Sequence, residues 1–324
     1  MRPQRINIFP LFLIFGILYS TEIEVKEIPL SGPITNPKQE ISGMDWYGKN
    51  LILLPENLEG FLYMISETEI KDVLNLKRAD PILPQQIKFS TPDYSSHIDG
   101  FDGFEAIAFD KNNVYITIES ESNHEMVGYL VWGKINPDNF IVNIPIENLK
   151  KIKTPSQVKN ITFESILIEK KRAILLYEAN GLNIQKKAAL QPSVTLKDKT
   201  ITNLIFPNIE YRITDATKID QDNRFWVINY YWPGDKKTLK PGNDLITEKF
   251  PKGKTHQISD VVERLIELQV KDQKIIYSGQ APIQLKLDGK KARNWEGIVR
   301  LNDDGFIIAT DKYPLMILGF VPKN

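Results

Sequence analysis

Acidic side chains recur at a nearly constant spacing along this sequence, and this recurrence is its strongest chemical signal. Five segments each hold a polar residue near their start and a second polar residue 14 or 15 positions later. The early positions are Ser42, Glu105, Glu164, Asp215 and Glu296, and the late positions are Glu56, Glu119, Glu178, Asn229 and Asp311. Eight of these ten positions carry a carboxylate. The candidate chemistry is therefore that of grouped carboxylates, namely calcium binding or general acid–base catalysis.

Carboxylates that lie close together need a compensating charge, because they cannot all ionise cheaply. A bound hard cation would supply it, and calcium suits the set since it takes six to eight oxygen ligands. The side chains of Arg212, Arg293, Lys218 and Lys312 adjoin the acids in sequence and would neutralise them without a metal. Protons on carboxylates with raised pKa values would do the same. Polar residues at strand ends also bond to backbone groups. A purely architectural role for most of these acids is therefore the alternative interpretation.

The elements that carry these residues are predicted to be β-hairpins. Each segment has a short strand-like run, a turn rich in Asp, Asn, Gly or Lys, and a second apolar, β-branched strand. The segments are 41–57, 104–120, 163–180, 213–230 and 295–312. The start of the first strand lies beside the end of its antiparallel partner, so each polar pair is expected to form a cross-strand neighbour pair.

Five such repeats in order predict an all-β fold, a β-propeller with five blades. A six-bladed ring, with one degenerate blade between the fourth and fifth repeats, is the alternative. If the first strand of each repeat lines the central channel, all the polar pairs meet around one mouth. The N-terminal strand Glu22–Leu30 is predicted to close the ring, because the last repeat is too short to complete its blade.

The remaining elements are predicted less directly. Residues 231–257 form a long loop over one face, and Val261–Leu268 fits either a strand or a short amphipathic helix. The predicted outer strands are Phe61–Ile65, Gln86–Phe89, Val127–Trp132, Phe140–Ile144, Leu265–Val270, Lys274–Tyr277 and Leu315–Val321.

The N-terminus is predicted to be a secretory signal peptide covering residues 1–20. Arg2 and Arg5 precede an apolar run of about 14 residues, Ile6–Tyr19, which is shorter than the roughly 20 that a membrane-spanning helix needs. An uncleaved anchor is the alternative. The mature chain, 21–324, is predicted to be one secreted or periplasmic domain, a monomer with no integral membrane span.

Composition excludes several classes of function. The chain has 41 basic and 41 acidic residues and no cysteine. Disulfides, thiolate metal sites and cysteine nucleophiles are therefore excluded, and a nucleic-acid partner is not expected from a formal net charge of zero. A nucleophile elbow and a phosphate-binding loop are absent from the sequence. His97, His124 and His256 are isolated from one another along the chain.

Five sequence blocks together resemble the phytase-like family, known as "esterase-like activity of phytase". They are SGMDW, GFEAIAFD, FESILI, ITDATKID and NWEGIVRL, and the resemblance runs from about residue 40 to the C-terminus. The chain is similar, more distantly, to strictosidine-synthase and gluconolactonase propellers. The resemblance implies a secreted or periplasmic propeller with calcium that hydrolyses an ester or phosphoester. Ser42 and Asn229 depart from the family pattern, since neither is an acid.

Roles follow for individual residues under the hydrolase hypothesis. The metal ligands are predicted to be Glu164, Glu296, Glu119, Glu178 and Asp311. The catalytic residues are Glu105 and Asp215, and the residues that bind a small or anionic ester substrate are Arg212, Arg293, Tyr231 and Trp232. The competing hypothesis is a non-catalytic envelope propeller that binds a ligand or a partner protein and uses calcium to stabilise its fold.

Overall fold

The computed structural model describes residues 20–56, 60–289 and 291–323. The predicted signal peptide lies, except for Ser20, outside the described residues. The described chain begins with two short strands, β1 (Glu22–Ile23) and β2 (Lys26–Ile28).

The later strands fall into five groups, within which strands that pair are antiparallel. Group 1 is β3 (Ile41–Tyr47), β4 (Asn50–Pro55), β5 (Phe61–Ser66) and β6 (Gln85–Ser90). Group 2 is β7 (Phe101–Asp110), β8 (Asn113–Ser122), β9 (Glu125–Ile135), β10 (Val142–Asn143) and β11 (Leu149–Lys153). Group 3 is β12 (Phe163–Glu169), β13 (Arg172–Tyr177), β14 (Ala189–Thr195) and β15 (Ile201–Phe206). Group 4 is β16 (Arg212–Ala216), β17 (Arg224–Tyr231), β18 (Val262–Lys271), β19 (Lys274–Tyr277) and β20 (Ile283–Leu285). Group 5 is β21 (Trp295–Leu301), β22 (Gly305–Thr310) and β23 (Leu318–Pro322), with β2 at its edge.

The first strands of the groups surround a common axis. Strand β3 contacts β7, β7 contacts β12, β12 contacts β16, β16 contacts β21, and β21 returns to β3. Antiparallel sheets arranged radially around a closed cycle of inner strands are the architecture of a β-propeller. The predicted fold class, an all-β propeller, is therefore confirmed.

The N-terminal segment closes the ring, as predicted. Strand β2 pairs antiparallel with β23, with Lys26 opposite Phe320, and β1 runs parallel to β20, with Glu22 opposite Gln284. The segment thus joins groups 4 and 5 and covers strand edges that would otherwise be unpaired. His256 adds to this closure, since its buried Nδ1 lies 2.8 Å from Oε1 of Glu22.

The hydrophobic core lies between neighbouring groups. One cluster, for example, packs Trp226 of group 4 against Trp295 and Phe306 of group 5, and its side chains are almost completely buried. Inner strands packed in this way are rigid supports for any side chain that they present to the central axis.

The helices are short and lie in the connections. Helix α1 (Glu67–Leu74) was not predicted, although Ser66 and Glu69 form the capping box that begins it. The predicted loop 231–257 connects β17 to β18 and contains three helices of four or five residues. They are α2 (Lys236–Leu239), α3 (Leu245–Lys249) and α4 (Lys254–Gln257). Single 3₁₀ turns occur at Pro33–Thr35, Pro37–Gln39, Tyr94–Ser96 and Pro233–Asp235.

Tertiary bonds explain why the 231–257 segment is ordered without an apolar pattern. Asp244 accepts a hydrogen bond from Ile246 N at the start of α3, and its carboxylate also binds the buried Arg264 guanidinium at 2.8 Å. The ambiguous segment Val261–Leu268 belongs to strand β18, whereas strands β14 and β15 were not predicted. None of the described helices combines the length and apolar character needed to cross a membrane.

Candidate functional site

A β-bulge interrupts each inner strand at its early polar residue. Glu164 lies between Phe163 and Ser165, which pair with Tyr177 and Leu176, and Glu296 occupies the same kind of position in β21. The irregularity in β7 contains Glu105, and that in β3 contains Ser42. A bulge inserts an extra residue and bends the strand, which re-aims the side chain there.

The predicted cross-strand pairing is wrong by two residues, one of which is due to the bulge. Glu119 pairs with Gly103 rather than with Glu105, and the backbone N–H of Glu178 donates to the carbonyl of Thr162 at 3.0 Å. Each of these late acids is therefore opposite the residue two places before the early acid. The extra residue of the bulge cannot be read from a constant spacing in the sequence.

A cavity of about 570 Å³ occupies one mouth of the propeller, and most of the predicted acids border it. The predicted site residues that line it are Glu105, Glu119, Glu164, Glu178, Glu296, Asp311, Arg212 and Trp232. Four further carboxylates, from Glu40, Glu56, Asp102 and Asp235, share the cavity with Lys312, Tyr230 and Tyr313. Among the described residues, ten carboxylates and two cationic side chains therefore share one cavity.

Asp215 does not border this cavity, which corrects its predicted catalytic placement. Its Oδ2 accepts a hydrogen bond from Ile298 N and its Oδ1 one from Ala216 N, each at 2.7 Å. Asp45 in group 1 makes the same kind of bonds, to Phe109 N at 2.7 Å and Trp46 N at 2.8 Å. Both carboxylates fasten one inner strand to the next, which is the architectural role that the sequence left open.

Two predicted substrate-binding residues also lie away from the cavity. The Arg293 guanidinium donates twice to Oε2 of Glu263, at 2.9 and 2.7 Å, and Glu263 also accepts from the Trp295 indole N–H. Tyr231 is buried against Tyr211, with their ring centroids 4.6 Å apart. Arg293 and Tyr231 therefore serve packing and ion pairing between elements, because strand β17 turns Tyr231 away from the mouth and towards the core of group 3.

Both cations of the cavity are already paired. Arg212 contacts Glu178 on one side and Oδ2 of Asp235 on the other, the latter at 2.8 Å. Lys312 lies 2.7 Å from Oε1 of Glu40. The second oxygen of Glu178, Oε2, is buried and has no hydrogen-bond partner among the described residues. A buried acceptor without a partner is costly, so this atom marks a position that a ligand would satisfy.

Burial and mutual repulsion perturb the carboxylates of the ring. Burial, and then the charges of neighbouring carboxylates, raises the pKa values of Glu105, Glu164 and Glu296 well above their ordinary value. Burial also raises the pKa of Glu119 to about 7, although the Thr162 hydroxyl donates to it at 2.9 Å. The pKa of Glu56 rises to about 8 through burial and through its hydrogen bond with Glu40. Near neutral pH the ring therefore holds protons that a cation would displace.

The side chains are not gathered into a metal-binding arrangement. Over residues 20–56, 60–289 and 291–323, no group of three or more His, Asp or Glu side chains is placed so that it could hold a metal ion. The donors are nevertheless carboxylate oxygens, the ligand type that calcium prefers. Binding a calcium ion would require several carboxylates to turn towards one another.

Several cavity residues were not predicted from the sequence. Two of them, Glu40 and Asn294, could have been found from their position directly before a repeat. Glu40 immediately precedes the first repeat, and the equivalent positions in groups 3 and 5 are the polar residues Thr162 and Asn294. Asn294 donates to Glu296 at 2.5 Å and to Asp311 at 2.9 Å. A polar residue just before a repeat is therefore part of the site. Asp102, Asp235 and Tyr313 lie at positions that do not repeat.

Fold and site together define a β-propeller with a carboxylate-lined cavity at one mouth. No protein-family model matches the chain, and no curated protein sequence matches it. The resemblance to the phytase-like family therefore stays a prediction.

Three solved structures of similar shape are distant from this chain in sequence. The GH43 endo-arabinanase from Bacillus licheniformis is 9% identical, over 91% of this chain and 95% of that one, with a TM-score of 0.49. The putative oxidoreductase (glucose dehydrogenase) from Thermus thermophilus is 8% identical, over 92% and 100%, with a TM-score of 0.47. The GH93 α-L-arabinofuranosidase of Fusarium graminearum, solved with arabinobiose, is 10% identical, over 93% and 97%, with a TM-score of 0.45.

Proposed function

We propose that the protein is a calcium-assisted hydrolase of an ester or phosphoester that acts in the mouth cavity, as the phytase-like resemblance implies. The observation that carries the proposal is the excess of carboxylates over cationic partners in the ring. Ten carboxylates line the cavity, its two cations are already paired, and Oε2 of Glu178 is buried without a partner among the described residues. A bound cation would balance the charge of the carboxylates and give Oε2 of Glu178 a partner.

Glu164, Glu178 and Glu296 are the proposed calcium ligands, and Glu119 and Asp311 complete the set. The carboxylates of Glu164, Glu178 and Glu296 repel one another, since, after burial, the charges of Glu178 and Glu296 each raise the pKa of Glu164. A calcium ion would relieve this repulsion. In this position calcium would polarise a carbonyl or phosphoryl oxygen.

Glu105 is the proposed general base. Glu105 lines the cavity, and its carboxylate forms no hydrogen bond or ion pair with another described residue. This carboxylate is therefore free to face a ligand. Once the charge of the ring is compensated, Glu105 ionises and accepts a proton from an attacking water. Arg212 is held in place by Glu178 and Asp235 and would bind the anionic group of a substrate.

A secreted or periplasmic location is part of the proposal. It is supported by the charged and apolar N-terminal segment, 1–20, and by the calcium that such compartments supply. The alternative function, a non-catalytic binding propeller with a structural cation, is favoured by one observation. The contacts from Glu178 through Arg212 to Asp235 tie the ring to the 231–257 segment, so a cation there would stabilise the fold without catalysis.

The test is hydrolysis of p-nitrophenyl acetate and p-nitrophenyl phosphate by the purified protein, in calcium and in EDTA. We expect turnover in calcium that EDTA abolishes and that Glu105→Gln lowers by about a hundredfold or more, the usual contribution of a general base. Glu125→Gln, at an exposed site on β9 outside the cavity, is the matched control. Turnover that is equal in the Glu105→Gln variant and the wild-type protein would refute the assignment. Calcium binding without turnover on any ester would favour the non-catalytic alternative.

A further inference from the structure

The mouth cavity has an outer part that the proposed calcium ligands do not use. Trp232 and Tyr313 line it with side chains that are 53% and 63% exposed, although large aromatic side chains are normally covered. Asp102 lines the same cavity, is exposed, and forms no ion pair with another described residue. Exposed aromatic rings beside unpaired carboxylates are the combination that recognises organic cations.

The cavity holds more carboxylates than the proposed calcium site uses. Five of its ten described carboxylates are proposed calcium ligands, and Lys312 and Arg212 bind Glu40 and Asp235, so Glu56, Asp102 and Glu105 have no cationic partner among the described residues. The carboxylates are spread around about 570 Å³. Ammonium groups spaced along a chain can each meet a separate carboxylate.

A second, independent feature indicates that a ligand belongs in this cavity. Glu178 lines it with a side chain that is only 4% exposed, and its Oε2 has no hydrogen-bond partner among the described residues. In the calcium-free protein an ammonium group, which has three N–H donors and no acceptor, suits this oxygen.

We propose that the ligand of this cavity is an organic compound that carries more than one ammonium group, with Asp102, Trp232 and Tyr313 as its recognition residues. This inference rests on the proposed function in one respect, because the compound is taken to be the ester or phosphoester that is hydrolysed. Trp232 and Tyr313 bind ammonium groups through their ring faces, and Asp102 binds them by charge. The phosphate or carbonyl end then lies towards Arg212.

Binding can be tested without turnover and without calcium. The probes are cadaverine, a five-carbon chain with an ammonium group at each end, and pentanediol, the same chain without charge. Titration calorimetry in EDTA at low salt should detect cadaverine and not pentanediol, and spermidine should bind more tightly than cadaverine. Trp232→Ala and Asp102→Asn should each weaken cadaverine binding about two- to fivefold, the effect of an exposed cation–π contact or ion pair.

Controls separate this inference from unfolding and from the hydrolase proposal. Glu125→Gln should bind cadaverine as the wild-type protein does, and thermal unfolding should show that all variants are folded. Equal affinity in wild-type protein, Trp232→Ala and Asp102→Asn would overturn the inference, and so would binding of pentanediol as tight as that of cadaverine. Amine binding without ester hydrolysis would remove the proposed reaction and leave this binding site standing.

Discussion

Arg212 donates to one carboxylate oxygen of Glu178, while the other oxygen of the same carboxylate is buried without a hydrogen-bond partner among the described residues. The two residues come from different groups, since Arg212 begins β16 and Glu178 follows β13. One oxygen of this carboxylate thus joins neighbouring parts of the propeller, and the other is left unpartnered in a residue that lines the cavity. Structural and ligand-binding roles are therefore combined in one residue.

The stability of the cation-free protein should fall as the pH rises. Burial raises the pKa of Glu119 to about 7 and, together with the hydrogen bond to Glu40, that of Glu56 to about 8, from an ordinary value of 4.5. The folded protein then holds protons that the unfolded chain has released. The stabilisation is complete below about pH 4.5 and is lost as the pH passes through 7 and 8.

Thermal unfolding in EDTA between pH 5 and pH 8.5 measures this dependence. We expect the midpoint to fall over that range, and to fall less in a variant that combines Glu56→Gln with Glu119→Gln. A midpoint that rises steadily with pH in EDTA would show that the ring carboxylates are ionised at low cost.

Removal of one proposed ligand should weaken calcium binding. Glu164→Gln and Glu296→Gln each replace a charged oxygen donor with a neutral amide at a bulge of an inner strand. We expect about a tenfold or larger loss of calcium affinity, since a bond to a charged group is worth about 1.5–3 kcal/mol. Titration calorimetry gives the affinity, and Glu125→Gln is the control. Unaltered affinity in both ring variants would exclude the shared metal site.

Arg212→Gln should destabilise the protein strongly at neutral pH. The substitution leaves the buried Glu178 and the adjacent Asp235 without their cation, and a broken buried ion pair costs about 3–5 kcal/mol. The loss should be smaller at pH 5, because burial raises the pKa of Glu178 and the carboxyl then takes up a proton.

Urea denaturation at pH 7.5 and pH 5 measures both effects of this variant. Lys71→Gln removes an exposed pair, Lys71 with Glu67 on helix α1, and should leave the stability nearly unchanged. Equal losses for the Arg212 and Lys71 variants would contradict the role given to Arg212.

Asp215→Asn should affect stability and leave calcium binding unchanged. The amide keeps one acceptor oxygen but places N–H groups against the backbone N–H of Ala216 or Ile298. We expect a loss of about 1–3 kcal/mol in urea denaturation, the cost of a buried donor left unpaired. Asp45→Asn, which removes the same kind of bonds in group 1, should behave alike. Weaker calcium binding by Asp215→Asn would contradict this prediction and show that Asp215 contributes to the calcium site.

The sequence was sufficient to predict the fold class because the hairpin pattern is local. A short apolar strand, a polar turn and a second strand recur five times, and each copy forms an inner hairpin of the structure. The edge pairing of Lys26–Ile28 with β23 was also predicted, since the last repeat lacks a strand. Short helices such as Leu245–Lys249 were missed because contacts with distant residues, here Arg264, hold them in place.

The site was predicted in part, for a reason that Asp215 makes clear. Glu105, Glu164 and Glu296 each directly follow the last paired residue before an irregularity, but in β16 that position is Thr214, and Asp215, one residue later, bonds to the neighbouring strand. A single extra residue in a strand changes the face that a side chain occupies. The sequence does not reveal this shift, because Asp215 and Asn229 are 14 residues apart, as are Glu164 and Glu178.

The central claim is that the carboxylate ring binds a calcium ion in the folded protein. Thermal unfolding at pH 7.5, first in EDTA and then in calcium, tests it most directly. At a calcium concentration about a hundredfold above the dissociation constant, the midpoint should rise by about 5 °C, because binding to the native state alone adds about 2.7 kcal/mol. A protein that combines Glu164→Gln with Glu296→Gln should show no rise. Identical midpoints of the wild-type protein in EDTA and in excess calcium would contradict the claim.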